Sequence, residues 1–235
     1  MNAGNGPYAT YAVSEDELQV EAVPTARSAD AAVIWLHGLG ADGHDFVSLL
    51  PQLRLPASMA VRFVFPHAPV RPVTVNNGWP MRAWYDIKSL DASGRDDAAG
   101  IADSAQRLAQ LIAAQQAQGI SSRRIVLAGF SQGGAVVLHA GLRHAEPLAG
   151  ILALSTYLPL RDRLPAEISA ANLQVPILMC HGSQDPVVTL PFALLSREAL
   201  QQAGCALDWR QYPMEHALCA PEVEAISQWL QQRLA

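Results

Sequence analysis

Short runs dominated by apolar residues recur along the chain, and segments with a helical spacing of apolar side chains separate them. The runs cover residues 31–36, 61–65, 125–128, 150–154 and 175–180. Runs of this length and character predict strands covered on both faces, as in a parallel sheet. Because strand and helix alternate from residue 31 to the end, we expect an α/β fold with a mostly parallel central sheet and helices on both faces.

Other segments are expected at the edges of this sheet or outside it. Residues 18–23 and 207–212 alternate apolar and polar side chains, which predicts half-exposed strands. A helix after Asp42 is expected to turn Phe46, Leu49 and Leu50 inward, and residues 66–97 form the longest irregular stretch. We expect residues 1–12 to be a loose leader and residues 13–235 to form a single domain.

The composition argues against a membrane-spanning, a secreted or a nucleic-acid-binding protein. No apolar stretch approaches the ~20 residues of a membrane span, and the N-terminus lacks the regions of a signal peptide. The net charge is −5 without a Lys/Arg cluster, which argues against a nucleic-acid partner. Cys180, Cys205 and Cys219 are odd in number and lack C-x-x-C spacing, so a reducing cytoplasm is the expected compartment.

The sequence Gly129-Phe130-Ser131-Gln132-Gly133 lies between one of the apolar runs and a predicted helix. A G-x-S-x-G motif between a strand and a helix is the context of a nucleophile elbow. We expect the glycines to be needed because strand and helix pass too closely for a Cβ atom. The elbow would present the hydroxyl of Ser131 above the sheet, at the N-terminus of the helix.

Ligands of parallel sheets bind at the carboxyl ends of the strands, and two further polar residues follow strands there. Asp185 comes after the run ending at residue 180, and His216 after the strand ending at residue 212. The order Ser131, Asp185, His216 is that of α/β-hydrolase triads. We therefore predict that His216 removes the proton of Ser131, and that Asp185 fixes the imidazole tautomer and stabilises its cation.

Other residues compete for these roles. His181 is the main rival of His216, but it shares a loop with Asp185 and is expected to cap that turn. Asp162 lies in a charged surface run and Asp208 within a strand, so both are weaker candidates than Asp185.

His37-Gly38-Leu39-Gly40 follows the third predicted strand, where one donor of an oxyanion hole normally arises. We predict that the backbone N–H groups of Leu39 and Gln132 form this hole, and that His37 braces the loop by hydrogen bonds. Trp84 and Tyr85 could equally line an acyl pocket or belong to the core.

Five motifs together resemble the carboxylesterase/acyl-protein thioesterase/lysophospholipase family of small α/β-hydrolases. They occupy residues 36–43, 66–69, 81–87, 129–134 and 181–188, and the similarity runs from about residue 30 to the C-terminus. The resemblance implies the α/β-hydrolase fold, the same triad and oxyanion hole, and an acyl site bordered by Trp84 and Tyr85. It also implies that no metal or cofactor takes part. Relatives often have phenylalanine where this chain has Tyr85, so the match to the family is looser at this residue.

The resemblance implies a serine carboxylesterase for short- to medium-chain acyl esters, working through an acyl-enzyme. An acyl-protein thioesterase or lysophospholipase is the alternative, with activity rising toward long acyl chains. A non-catalytic binding protein on the same fold is a third hypothesis, which would predict a broken triad. The expected partner is a small acyl ester or lipid-like substrate. An apolar rim around the acyl site would serve a substrate or a homodimer partner equally well.

Overall fold

An eight-stranded sheet in the order β1-β2-β4-β3-β7-β8-β9-β10 runs through the molecule, and β5 and β6 form a separate two-stranded sheet. The computed structural model describes residues 8–13, 19–24, 28–89 and 97–235. The strands are β1 Tyr8–Val13, β2 Gln19–Pro24, β3 Ala31–Leu36, β4 Val61–Pro66, β5 Val70–Val73, β6 Trp79–Arg82, β7 Ile125–Phe130, β8 Gly150–Leu154, β9 Ile177–Gly182 and β10 Leu207–Tyr212.

The large sheet is mostly parallel, as the alternation of strand and helix predicts. β2 is antiparallel to both of its neighbours, whereas β4, β3, β7, β8, β9 and β10 pair in parallel. The helices are α1 Ala98–Ala117, α2 Gln132–Arg143, α3 Leu164–Glu167, α4 Leu190–Gln202 and α5 Ala220–Leu234. Within the described chain, no helix combines the length and the apolar character needed to cross a membrane.

Two hydrophobic clusters cover the two faces of the sheet. Alternate residues of β3 show the division, since Ile34 belongs to the cluster with α1, α2 and α4, whereas Trp35 belongs to the cluster with α5. Each fully buried large apolar side chain contributes about 1.5–3 kcal/mol relative to an exposed one. Burial on both faces therefore explains why the central strands are apolar throughout, and their parallel pairing brings their carboxyl ends to one edge of the sheet.

Three expectations need correction. The predicted leader overlaps β1, because residues 8–13 pair antiparallel with β2 from Tyr8 opposite Pro24 to Val13 opposite Gln19; pairing with another strand is not visible in a local pattern. Residues 1–7, and Leu18 of the predicted second strand, lie outside the described residues.

The helix expected after Asp42 is a 3₁₀ helix, Val47–Leu53, with Pro51 inside it, although Leu49 and Leu50 are buried as expected.

The third correction concerns residues 66–97. Part of this predicted irregular stretch forms the β5–β6 hairpin, with a 3₁₀ turn over Thr74–Asn76. Asn77 and Gly78 both have positive φ, 55° and 72°, which closes the turn between the two strands. Residues 90–96 lie outside the described residues.

Candidate active site

Ser131 lies between the last residue of β7 and the first residue of α2, with φ 53° and ψ −119°. A positive φ is strained for a residue with a side chain and persists only where neighbours hold it. The backbone N–H of Ser131 donates to the carbonyl of Leu154 (2.9 Å), and its carbonyl accepts from Thr156 Oγ1 (2.6 Å) and the N–H of Ala135 (3.1 Å). The end of β8 therefore holds the elbow on one side and the first turn of α2 holds it on the other.

The glycines of the motif are required by space, as predicted. A Cβ on Gly129 would lie 2.4 Å from the carbonyl carbon of Gly133, and one on Gly133 would lie 2.4 Å from the carbonyl oxygen of Leu36. Real Cβ atoms essentially never approach other atoms so closely. The end of β3 thus packs directly on the first turn of α2.

Asp185 and His216 are in direct contact. The imidazole Nδ1 of His216 lies 2.7 Å from Oδ2 of Asp185, and Oδ1 accepts from the N–H groups of Val187 (2.8 Å) and Val188 (2.9 Å). Burial acts to raise the pKa of the Asp185 carboxyl, but the bonds from His216 and the two N–H groups outweigh it and the pKa is lowered. The carboxylate is therefore held ionised, facing the imidazole.

The loops that carry these two residues are joined by backbone hydrogen bonds. The N–H of Ser183 donates to the carbonyl of Tyr212 (2.8 Å), and the N–H of Gln184 donates to the carbonyl of Met214 (3.1 Å). The ring of His216 lies 4.8 Å, between centroids, from the ring of Phe130, which precedes the elbow serine. The structure thus brings His216 and Asp185 into contact and places the ring of His216 beside the residue that precedes Ser131. A hydrogen bond between the Ser131 hydroxyl and His216 is not among the contacts of the described residues, and such catalytic bonds often tighten only with substrate bound.

The rivals of the triad residues have other surroundings. His181 is fully buried, and its Nε2 bonds the carbonyl of Val188 (2.7 Å), so it caps the turn as predicted; burial lowers the pKa of its imidazole. The carboxylate of Asp208 is paired with Arg210 (2.8 Å), and the side chain of Asp162 is 96% exposed.

Two backbone N–H groups near the elbow have no hydrogen-bond acceptor among the described residues. A Cβ on Gly38 would lie 3.5 Å from the Cβ of Ser131, so the loop after β3 packs against the nucleophile. In the described part of the chain, the N–H groups of Leu39 and Gln132 have no hydrogen-bond acceptor. Gln132 is also the first residue of α2, where the helix dipole favours negative charge.

His37 orients one of these donors. Its Nε2 accepts from the N–H of Ala68 (3.0 Å), so Nδ1 carries the proton and donates to the carbonyl of Gly38 (2.7 Å). The carbonyl of Gly38 and the N–H of Leu39 belong to one trans peptide and point in opposite directions. Because the carbonyl points toward the imidazole of His37, the N–H of Leu39 points away from it. Burial, the largest effect, lowers the pKa of His37 to about 4 and keeps the imidazole neutral. The predicted bracing role of His37 is confirmed.

Trp84 and Tyr85 are both buried, with 2% and 0% of their surfaces exposed. The side-chain amide of Gln132 accepts from the N–H of Trp84 (2.8 Å) and donates to the carbonyl of Tyr85 (2.7 Å). The hydroxyl of Tyr85 bonds that of Tyr157 (2.6 Å). Both aromatic rings therefore belong to the core beside the elbow, and a role in lining an acyl pocket stays a prediction.

Sequence reasoning missed several supporting groups. Thr156 and the side chain of Gln132 hold the elbow, and the N–H groups of Val187 and Val188 hold the carboxylate. Thr156 lies two residues after the end of β8, so its position after a strand was the available signal.

Among the described residues, Asp42, His44 and His67 form the group that could hold a metal ion, with donor atoms within 4.8 Å of one another. His67 Nδ1 already accepts from the N–H of Gly43 (2.9 Å), and Asp42 Oδ1 accepts from the N–H of His44 (2.8 Å). The two atoms thus serve to hold the loop, and we assign no ion to it.

Comparison with known proteins places the chain among ester hydrolases. Residues 18–234 match the family described as phospholipase/carboxylesterase. Acyl-protein thioesterase 1 of Neurospora crassa is 39% identical over 221 residues, covering 90% of each chain. Acyl-protein thioesterase 1 of Yarrowia lipolytica is 35% identical over 217 residues, covering 90% of this chain and 96% of that one.

Solved structures of three other proteins are similar to this chain over most of its length. Zea mays acyl-protein thioesterase 2 superposes with a TM-score of 0.81 at 29% identity, covering 92% of this chain and 99% of that one. Arabidopsis thaliana SOBER1 gives 0.82 at 28% identity, with 87% and 99% covered. Esterase PE8 gives 0.73 at 28% identity, with 88% and 94% covered. The α/β-hydrolase fold expected from the sequence is confirmed.

Proposed function

The chain belongs to the phospholipase/carboxylesterase family of α/β-hydrolases and is an ester hydrolase. We propose that it cleaves acyl thioesters of acylated proteins through an acyl-enzyme on Ser131. The observation that carries the chemistry is the 2.7 Å contact between His216 and Asp185 beside the strained elbow. The thioester substrate is supported by the relatives at 35–39% identity, which are acyl-protein thioesterases by name.

In the first half of the reaction, His216 Nε2 takes the proton of Ser131 Oγ as the oxygen attacks the acyl carbonyl. The N–H groups of Leu39 and Gln132 bind the resulting oxyanion. The carbon–sulfur bond then breaks, and His216 returns the proton to the leaving thiolate. In the second half, His216 activates a water that attacks the acyl-enzyme, which releases the carboxylic acid and restores Ser131. Asp185 keeps Nδ1 of His216 protonated throughout and stabilises the imidazolium.

A second candidate is the serine carboxylesterase for short- to medium-chain acyl esters that the sequence favours. The similarity to esterase PE8 over 88% of this chain supports it. Both candidates use the same residues, so acyl length and leaving group distinguish them. A lysophospholipase is the related alternative within the family.

The experiment measures hydrolysis of p-nitrophenyl esters from acetate to palmitate, and of a palmitoyl-thioester peptide, by wild type, Ser131→Ala and Ser155→Ala. Ser155 is a matched control because it follows β8 at the same edge of the sheet, also has positive φ (46°), and its buried hydroxyl has no partner in the described structure. We expect Ser131→Ala alone to lose activity and the rate to rise toward palmitate. A peak at short chains with no thioester cleavage would favour the carboxylesterase, and an active Ser131→Ala would contradict the proposed function.

We also propose a cellular compartment for the protein. All three cysteines are free thiols, which supports a reducing compartment such as the cytoplasm. A homodimer stays a prediction. A mass near that of one chain, measured by light scattering, would contradict it.

A further inference from the structure

The polar groups of Trp84 are all engaged although its side chain lies in the core. Its backbone N–H donates to Gln132 Oε1 (2.8 Å), its indole Nε1–H donates to the carbonyl of His37 (2.9 Å), and its carbonyl accepts from the hydroxyl of Ser104. A buried aromatic side chain needs one partner at most for its polar atom. Two of the three bonds of Trp84, one from the side chain and one from the backbone, reach the two segments that carry the proposed oxyanion donors.

Those donors belong to two different segments of the chain. The N–H of Leu39 lies in the loop after β3, two residues beyond the carbonyl that accepts from the indole of Trp84. The N–H of Gln132 begins α2, and the side chain of that same residue binds the N–H of Trp84. Trp84 therefore joins by hydrogen bonds the two segments that carry the donors.

The distance between the donors matters because both must reach one oxygen. A shift of about 1 Å in catalytic groups can cost on the order of 10²-fold in rate, and losing one oxyanion donor costs about 10²–10³. Such losses fall on kcat, since the oxyanion exists only beyond the ground state.

We propose that Trp84 is a positioning residue that fixes the N–H of Leu39 relative to the N–H of Gln132. The proposal rests on the proposed function and deepens it, because it assigns Trp84 to transition-state binding rather than to the wall of an acyl pocket. Its indole N–H sets the oxyanion loop, and its backbone N–H sets the first turn of α2 through the Gln132 amide.

Trp35 offers a matched control for the loss of a buried indole. It is 1% exposed, lies in β3 just before the same loop, and stacks on Phe46 at 5.1 Å between centroids. Its Nε1 has no hydrogen-bond partner in the described part of the chain. Trp35→Phe and Trp84→Phe remove the same atoms, but only the second removes a hydrogen bond to the oxyanion loop.

The test compares wild type, Trp84→Phe, Trp35→Phe and Gln132→Met for kcat, KM, melting temperature and the Ki of a trifluoromethyl ketone with the acyl chain of the substrate. The ketone forms a hemiketal oxyanion with the serine, so its Ki reports the oxyanion hole. We expect Trp84→Phe to lower kcat about 10–100-fold and to raise this Ki in proportion, with KM within about 3-fold. Trp35→Phe should lose stability while keeping kcat and Ki near those of wild type.

Gln132→Met keeps the backbone donor and removes the amide that binds Trp84, so it gives the same pattern and serves if Trp84→Phe does not fold. Unchanged kcat and Ki in the folded variants would overturn the proposal, as would equal losses in Trp35→Phe. An inactive Ser131→Ala together with an unaffected Trp84→Phe would overturn this inference alone. An active Ser131→Ala would remove the proposed function, and the inference with it.

Discussion

Asp185 binds His216 with one carboxylate oxygen, at 2.7 Å, while its other oxygen accepts two backbone N–H groups. In Asp185→Asn the amide oxygen would keep the backbone bonds, and the NH₂ group would face Nδ1 of His216. The imidazole would then carry its proton on Nε2 and could not accept one from Ser131. We expect kcat to fall on the order of 10⁴-fold with little loss of stability, measured by steady-state kinetics and thermal unfolding. A variant that keeps a tenth of the activity would contradict the role of Asp185.

The backbone carbonyl of Ser131 accepts the hydroxyl of Thr156 at 2.6 Å, although the two residues follow different strands, β7 and β8. Thr156→Val removes this buried bond at constant shape, and we expect a loss of about 1–3 kcal/mol in the free energy of unfolding. The elbow should also loosen, so kcat falls. Thr156→Ser keeps the hydroxyl and is the control; it should retain kcat, and equal kcat in both variants would show that the bond does not hold the nucleophile.

Gly133 packs against the carbonyl of Leu36, where an added Cβ would lie 2.4 Å away. Because backbone cannot give way cheaply, Gly133→Ala should cost about 3 kcal/mol or more, or prevent folding. Gly119→Ala is the control, since Gly119 has φ 90° with nothing within 4 Å of an added Cβ; strain alone should cost it about 1–2 kcal/mol. Denaturant unfolding measures both. Equal losses would mean that crowding at the elbow is not the reason for the glycine.

Glu222 is fully buried in the first turn of α5, and the backbone N–H of Cys219 is close to its carboxyl group. Burial raises the pKa of this carboxyl to about 7 from an ordinary value of 4.5. Between pH 4.5 and 7 the unfolded chain loses the proton while the folded chain keeps it, so stability falls as pH rises and the full penalty remains above pH 7.

Glu222→Gln cannot ionise and isolates this effect. We expect it to unfold like wild type near pH 4 and to be more stable at pH 8, by on the order of 3 kcal/mol. Urea unfolding of both proteins across this range gives the difference. A constant offset between the two curves would show that Glu222 does not titrate on unfolding.

Sequence reasoning was most accurate where the signal is local. The strand at residues 31–36 coincides with β3 because six consecutive buried positions must all be apolar. The glycines of the elbow could be explained from the motif alone, since their need arises between neighbouring elements. The candidate triad could be chosen by position because parallel strands end at one edge.

The rest depends on partners distant in sequence. The β1 pairing, the bond from Ala68 to His37 and the link from Trp84 to Gln132 join segments whose meeting no local pattern encodes. The 3₁₀ helix at Val47–Leu53 shares its apolar spacing with an α-helix, so the pattern could not distinguish the two. Trp84 and Tyr85 are ambiguous for a related reason, since a pocket wall and a core both select aromatic residues.

The N–H groups of Leu39 and Gln132 have no acceptor in the described chain, so under the proposed function we expect the resting site to bind anions before any substrate arrives. In the proposed reaction, the carboxylate product brings an oxygen to the place where the oxyanion formed, so we expect this product to be such an anion. Release of the product is then a step with its own cost, and turnover should slow as the free acid accumulates. The arrangement that stabilises the transition state thereby also sets how readily the site is cleared for the next substrate.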